Sequence, residues 1–403
     1  MQTKNQSLVI ETWNKLRKNK LAFLGLSIIA FFAIIAILGA LIRPDQTPDA
    51  NDQILEISRK KPGFKVRMLQ VELNKEVQEV SPFAMMFFGG QNLSYQNIPI
   101  EKYSIAGDSV IAVIYNESAS DRIRREFHIA DVLYGLDISK PIKRIGNQFE
   151  IHLANGEVVN TDYETMVKEI PNRIDYKYFV LGTDKFGRDL LSRVMAGAVV
   201  SLSVGFIAVF ISLIIGITLG AIAGYYRGWV DEVIMWLINV VWSVPTILLV
   251  IAVTLALGKG FSQVFIAVGL TMWVEVARVV RGQILGIREK EFVEAGKALG
   301  YSNGRIIVKH ILPNIMGPVI VISAANFASA ILIEAGLSFL GIGAQIPMPS
   351  WGGMIKDHYH YITTNLAYLA IVPGICIMLL VLAFMLVGNG LREALDIKSG
   401  EGL

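Results

Sequence analysis

The run LAFLGLSIIAFFAIIAILGALI, from Leu21 to Ile42, carries no charge. As a helix it is long enough to cross a hydrocarbon core of about 30 Å. Lipid offers no partner for backbone N–H and C=O groups, so such a run must satisfy them internally. Lys15, Arg17, Lys18 and Lys20 precede it. A cleavable signal has a shorter apolar region and small residues at its cut site. The run therefore reads as a retained first transmembrane helix (21–42), with its basic flank (1–20) in the cytoplasm. With 53% hydrophobic residues over 403, the chain needs further membrane segments elsewhere. A net charge of +3 gives no field for a polyanion, so nucleic acid is not a partner. The single cysteine, Cys376, lies in an apolar run and rules out an intramolecular disulfide.

Past Ile42 the composition changes. Residues 43–180 are charged and hold short alternating runs, SVIAVIY (Ser109 to Tyr115) and FEIHLANGEVV (Phe149 to Val159). Asn155-Gly156 between alternating segments predicts a β-hairpin. No part of this region can span a bilayer. Its many Ile, Val, Phe and Tyr residues favour a folded, strand-rich domain over a disordered linker.

Residues 181–395 are mostly membrane. Apolar runs at 198–225, 233–257, 264–280, 315–342 and 368–391 make six spans with the first. From a cytoplasmic N-terminus, residues 43–197 fall outside, YYRGWVDE (Tyr225 to Glu232) inside, and LGKGFSQ (Leu257 to Gln263) outside. Residues 281–313 fall inside, 343–367 outside, and the tail 396–403 inside. Arg and Lys crowd 281–309, with Arg392 and Lys398 added by the C-terminus. The two short outer loops carry only Lys259 and Lys356. That asymmetry satisfies the positive-inside rule, from which the long outer domain is exempt.

Between two of these spans lies the polar stretch VEAGKALGYSNGRIIVKHILPN, Val293 to Asn314. Residues 289–299 are good helix formers, and Gly300 stands where a left-handed cap is expected. Ser302 is placed to cap a second short helix. Pro313 disfavours helix at Leu312 and marks the return to the membrane. Three- and four-residue spacing puts Phe292, Ala295, Gly296 and Leu299 on one face, small in its middle and open to a partner. An ordinary interfacial helix is the competing reading.

Glu294, Ala295, Gly300, Leu312 and Pro313 stand at the spacing of the EAA loop, and the stretch resembles that loop of ABC-importer permeases. Gly296 replaces the second Ala of the pattern, and His310 replaces an Ile. The segment LGTDKFGRDLLSRVMAGAVVSLSVG (Leu181 to Gly205) is similar to the lead into the second span of dipeptide, oligopeptide and nickel permeases. ILIEAGLSFLGIG (Ile331 to Gly343) and PSWGGMI (Pro349 to Ile355) resemble that family's closing half. The likeness is strongest to the C-type subunit.

The resemblance implies a polytopic α-helical membrane protein of the type I importer fold with six transmembrane helices, here with an extra strand-rich extracytoplasmic domain. It implies that Phe292, Glu294, Ala295, Gly296, Leu299, Gly300, Leu312 and Pro313 form a coupling helix that docks on a separate ATPase. It implies a B-type permease partner, two ATP-binding subunits that hold ATP and Mg2+, and an extracytoplasmic substrate-binding protein. The setting is the lipid of a bacterial or archaeal cytoplasmic membrane. No G-x-x-x-x-G-K-[ST] phosphate loop occurs in the chain, so it has no visible ATP site of its own.

Other residues bear chemistry without an obvious partner. Asp184, Arg188 and Asp189 fall at the outer mouth. A helix from Asp184 would pair Asp184 with Arg188 as an exposed ion pair. They read as shaping the vestibule, or as docking the binding protein, ahead of acid–base or metal chemistry. Glu334 and Asn326 are candidates for the translocation path or a subunit interface, since polar groups at membrane depth face protein or water. Ala324/Ala328 and Ala325/Ser329 around Asn326 permit close helix packing within or between subunits. Glu275 is likewise a candidate for the translocation path or for inter-subunit pairing, but the preferred reading pairs it with Arg278 or Arg281 near the inner boundary. His358 and His360 in DHYHY read as a solvated outer loop rather than a metal site. Pro245 and Pro373 are candidate kinks. Two other readings remain: a nickel permease, and a membrane-anchored sensor or hydrolase using the 43–180 domain.

Overall fold

The computed structural model describes residues 8–77, 80–117, 123–258 and 260–396. Lys259, Lys398, the start of the N-terminal segment and the end of the tail lie outside these residues. The chain forms two compact units: Ile37–Ala196 with Thr363–Leu369, and Met1–Ala36 with Gly197–Ile362 and Ala370–Leu403.

Helix α1 (Leu8–Lys18) leads into α2 (Lys20–Ile42). Asn19 between them accepts the Leu21 and Ala22 N–H groups at 3.1 and 3.0 Å, so its side chain caps the start of α2. The strand-rich unit follows. It holds β1 (Phe64–Glu72), α3 (Pro82–Phe88), β2 (Tyr95–Ala106), β3 (Ser109–Ile114), β4 (Arg124–His128) and α4 (Ile129–Leu133). Then come β5 (Lys143–Ile145), β6 (Gln148–His152), β7 (Val158–Asp162), α5 (Tyr163–Glu169) and β8 (Ile174–Phe179). Two antiparallel sheets result, β4-β3-β2-β1-β8 and β5-β6-β7.

Alternation along β3 puts Val110, Ala112 and Ile114 inward, where they meet Leu69, Ile98 and Ile100 and the buried Ile129 and Met166. Asn155-Gly156 lies in the β6–β7 turn, with Gly156 at φ +87°. Because β8 pairs with β1, the chain leaves the sheet beside the point where it entered. That return delivers residues 182–193 next to 43–60.

The second unit is helical: α6 (Leu190–Tyr226), α7 (Gly228–Trp242), α8 (Thr246–Leu257), α9 (Phe261–Ile287), α10 (Glu291–Ala298) and α11 (Asn303–Arg305). A π-helical turn, Ile306–Ile311, joins α11 to α12 (Leu312–Leu340), and α13 (Trp351–His358) and α14 (Tyr368–Asp396) complete it. Large apolar side chains such as Phe31, Phe206 and Met378 point outward, the reverse of a soluble protein.

Among the described residues five helices are long and apolar enough to span, or six if α7 and α8 count as one bent span. The expected third span, 233–257, is in fact these two helices, which meet at 92°. Pro245 is the cause, since it lacks an N–H and pushes Val244 away from helix. Twelve residues make α8 roughly 18 Å long, short of a full crossing. Pro373 instead lies within an unbroken α14.

Candidate functional site

Helix α10 begins at Glu291, with Glu291 and Glu294 in a first turn that favours negative charge. Its end is a Schellman cap. Gly300 takes φ +76°, its N–H reaches Lys297 O at 2.9 Å, and Tyr301 N–H reaches Gly296 O at 3.1 Å. Ser302 flanks α11 as expected, but its hydroxyl makes no capping bond.

The face assignment for α10 needs correcting. Val293 and Gly296 are buried, while Phe292, Ala295 and Leu299 are exposed. Gly296 therefore belongs to the inner face and not to the outward one. Val293 enters an apolar core with Ile306, Ile311 and Ile315 from the following helix, Val280 and Ile284 from α9, and Ala221 and Tyr225 from α6. Burying one such side chain is worth about 1.5–3 kcal/mol. A Cβ at position 296 would meet Tyr301 and Ile306 no closer than 3.6 Å, which is ordinary contact. The Gly296 departure thus opens no new approach for a partner. The other departure is absorbed too, because the His310 ring stacks on Tyr301 at 5.6 Å with Arg305 over the same ring.

Leu312-Pro313 does not end a helix either. Residues 303–340 run as one helix, with the wider π turn just ahead of Pro313. Pro313 has no N–H to return, and the Asn314 side-chain amide donates to the His310 carbonyl at 2.7 Å. The π turn lets the helix continue through the proline.

Polar ties join this segment to neighbouring helix ends. Tyr225 Oη donates to Asn303 Oδ1 at 2.8 Å, and Arg288 donates to the Tyr225 carbonyl. Arg227 pairs with Glu289 at 2.6 Å. Arg281 holds Asp231 through two bonds of 2.5 and 2.6 Å. Sequence reasoning missed Tyr225 and Asp231. The available signal was charge: the acids of YYRGWVDE face the same side as the Arg- and Lys-rich loop. Among the described residues the Glu294 side chain makes no hydrogen bond or ion pair, so it remains open.

A second polar cluster differs in kind. Asp184 and Arg188 pair at 2.6 Å, as the spacing predicts, but they are 1% and 2% exposed and lie ahead of the helix, which starts at Leu190. Asp184 Oδ1 accepts the N–H groups of Phe186 and Arg188 at 2.8 and 3.0 Å, and Gly187 takes φ +74°. The segment is therefore a side-chain-stapled turn, not the exposed helix expected. Arg188 also donates to Asn51, Thr183 Oγ1 to Ile57 O, and the Asp45 N–H to Ser192 Oγ. Asp189 accepts from Ser192, and burial still pushes its carboxyl above the usual range. The cluster knots residues 43–60 to 182–193, and its buried carboxylates offer no docking surface.

Asn326 and Glu334 are 0% and 1% exposed, so both lie inside this chain and not on its rim. Ser338 Oγ donates to Glu334 Oε1 at 2.6 Å, near the turn into α13. The buried Trp351 of α13 packs edge-on to Phe32 at 5.4 Å, and a Cβ at Gly197 would stand 2.6 Å from its ring. Ala324 and Ala328 are buried, whereas Ala325 and Ser329 are exposed, so the two small pairs serve different faces. Glu275 pairs with neither expected arginine: Arg281 is held by Asp231, and Arg278 stacks on Trp242 at 3.5 Å. His358 is buried and bonds to the Met354 carbonyl, not solvated as expected. Among the described residues no group of His, Cys, Asp or Glu is arranged to hold a metal ion.

Residues 216–398 match the binding-protein-dependent transport system inner membrane component family. Residues 7–62 match the N-terminal transmembrane domain of oligopeptide transport permease C. Over 217 residues, 54% of this chain and 71% of the relative, the sequence is 46% identical to the dipeptide transport system permease protein DppC of Alkalihalophilus pseudofirmus. It is 40% identical over 239 residues, 59% and 76% of the two chains, to the oligopeptide transport system permease protein OppC of Haemophilus influenzae. It is 40% identical over 218 residues, 54% and 72%, to the glutathione transport system permease protein GsiD of Pectobacterium atrosepticum. Among the described residues all eight strands, Phe64 to Phe179, fall between the two family matches. The chain belongs to the binding-protein-dependent transport permeases, as a C-type subunit of the oligopeptide and dipeptide kind, a transporter component whose ATPase resides on separate subunits.

Proposed function

We propose that this chain forms half of a pathway that imports dipeptides or oligopeptides across a bacterial or archaeal cytoplasmic membrane. Its similarity to dipeptide, oligopeptide and glutathione permeases supports the substrate class. Both termini and residues 281–313 face the cytoplasm, and the strand-rich unit faces outward, an orientation supported by the distribution of Arg and Lys. A B-type permease supplies the other half of the path. An extracytoplasmic binding protein delivers substrate, and two ATP-binding subunits supply ATP and Mg2+ chemistry. Asp184, Arg188 and Asp189 act as a structural lock at the base of the outer unit, and Asn326 and Glu334 as internal packing groups.

The observation that carries this reading is the two-sided build of α10. Phe292, Ala295, Leu299 and Glu294 stand outward, while Val293 and Gly296 are packed into the core beneath. A helix exposed on one side and clamped on the other can take a push from a groove and pass it to α6, α9 and α12. ATP binding in the partner then biases a two-state permease through differential contacts. Affinity purification of the tagged chain from its native membrane tests the assembly. Two ATP-binding subunits, a second permease and a binding protein carrying peptide should copurify; a chain that purifies without ATP-binding subunits overturns the reading.

A further inference from the structure

Helices α7, α8, α9 and α12 enclose a cavity of about 300 Å3 within the membrane unit. Its wall includes Trp242, Thr246, Thr271, Glu275, Ser329 and Leu332. Glu275 lies within the apolar run 264–280 of α9, where a carboxylate normally faces protein or a water-filled cavity. Such a group needs a counter-charge or water. Both cations that follow it on the same helix are engaged elsewhere, Arg278 on the Trp242 ring and Arg281 on Asp231. Among the described residues Glu275 has no ion pair or hydrogen bond of its own, and it is exposed to the cavity. Among the described residues no group of this chain neutralises it, so a group from elsewhere is needed.

The shape decides what that is. The wall is concave, and its volume is at the small end of ligand pockets. Thr246, Thr271 and Ser329 line the same cavity as Glu275, with Trp242 and Leu332 as apolar wall. Thr271 Oγ1 already donates to the Val268 carbonyl at 2.9 Å, which leaves it as an acceptor. One carboxylate beside hydroxyls able to accept fits a small cation with several N–H donors. We propose that this cavity is a subsite of the translocation path that receives the positively charged amino terminus of a passing peptide, with Glu275 as counter-ion. The subsite rests on the importer reading above.

The test uses the complete transporter with its binding protein in ATP-loaded proteoliposomes. The probe is a defined mixture of di- to hexapeptides, each with a free or an N-acetylated amino terminus, and accumulation is read by mass spectrometry. In Glu275→Gln, uptake of the free-amine peptides should fall by about tenfold to a hundredfold, the range of a lost charge-assisted hydrogen bond. Uptake of acetylated peptides should hold, and Glu275→Asp should recover most of the loss. Wild-type uptake of free-amine peptides by Glu275→Gln overturns the subsite. So does an equal fall for both peptide sets, or loss of the second permease from the purified Glu275→Gln complex, which would make Glu275 an interface residue. If the wild-type transporter accumulates no peptide at all, the importer reading fails first, and the subsite with it.

Discussion

Two acid-rich segments of this chain look alike in sequence and end in opposite states. Around the turn at Asp184 the carboxylates of Asp184 and Asp189 are buried and engaged by arginine, hydroxyl or backbone N–H. Around α10 the inner face is closed by apolar packing, and Glu294 is left open. Charge spacing alone does not distinguish them. What distinguishes them is whether a distant segment of the same chain arrives to cover the charges. Residues 43–60 cover Asp184 and Arg188; among the described residues nothing covers Phe292, Glu294 and Leu299. A polar group satisfied from within holds a fold together, and one left open is available to another molecule.

The sharpest way to break this contrast is at the buried pair. Asp184→Ala leaves the Arg188 guanidinium without its partner and should cost about 3–5 kcal/mol. Thermal unfolding of the purified complex reads it, and near-wild-type stability would mean the pair is not buried as described. Next comes Asp231→Asn, which weakens the two-bond grip on Arg281 and should cost about 1.5–3 kcal/mol by the same measurement. Gly300→Val forces a β-branched residue into the left-handed cap, a strain of roughly 1–2 kcal/mol. It should lower binding-protein-stimulated ATP hydrolysis while the chain still inserts. The smallest effect has the opposite sign. Gly296→Ala places a methyl in ordinary contact on the inner face and should stabilise α10 by up to about 1 kcal/mol with uptake unchanged. A loss of uptake in that variant would return Gly296 to the docking surface.

Much of this was legible because it is local. The Asn155-Gly156 turn, the left-handed Gly300 and the apolar spans are each set by a few adjacent residues. The rest depends on partners far along the chain. Burial of Asp184 requires β8 to return beside β1, and Asp231 finds Arg281 fifty residues later. Spacing put Gly296 with Phe292 and Leu299, but two adjacent faces of a short helix are separable only once Ile306 packs beneath one of them. The break at Pro245 was readable as a kink, and its 92° size was not, because helix packing on both sides sets the angle. Glu275 was misread because Arg278 and Arg281, three and six residues on, are taken by Trp242 and Asp231 in space.

The central claim is that the outward face of α10 is the handle on which a separate ATPase acts. Phe292→Asp with Leu299→Asp, in the complete reconstituted transporter, tests it most directly through ATP-driven peptide uptake. Uptake should be abolished and ATP hydrolysis should no longer respond to the loaded binding protein, while the unfolding temperature of the permease stays at the wild-type value. Wild-type uptake with both aspartates in place would contradict the account.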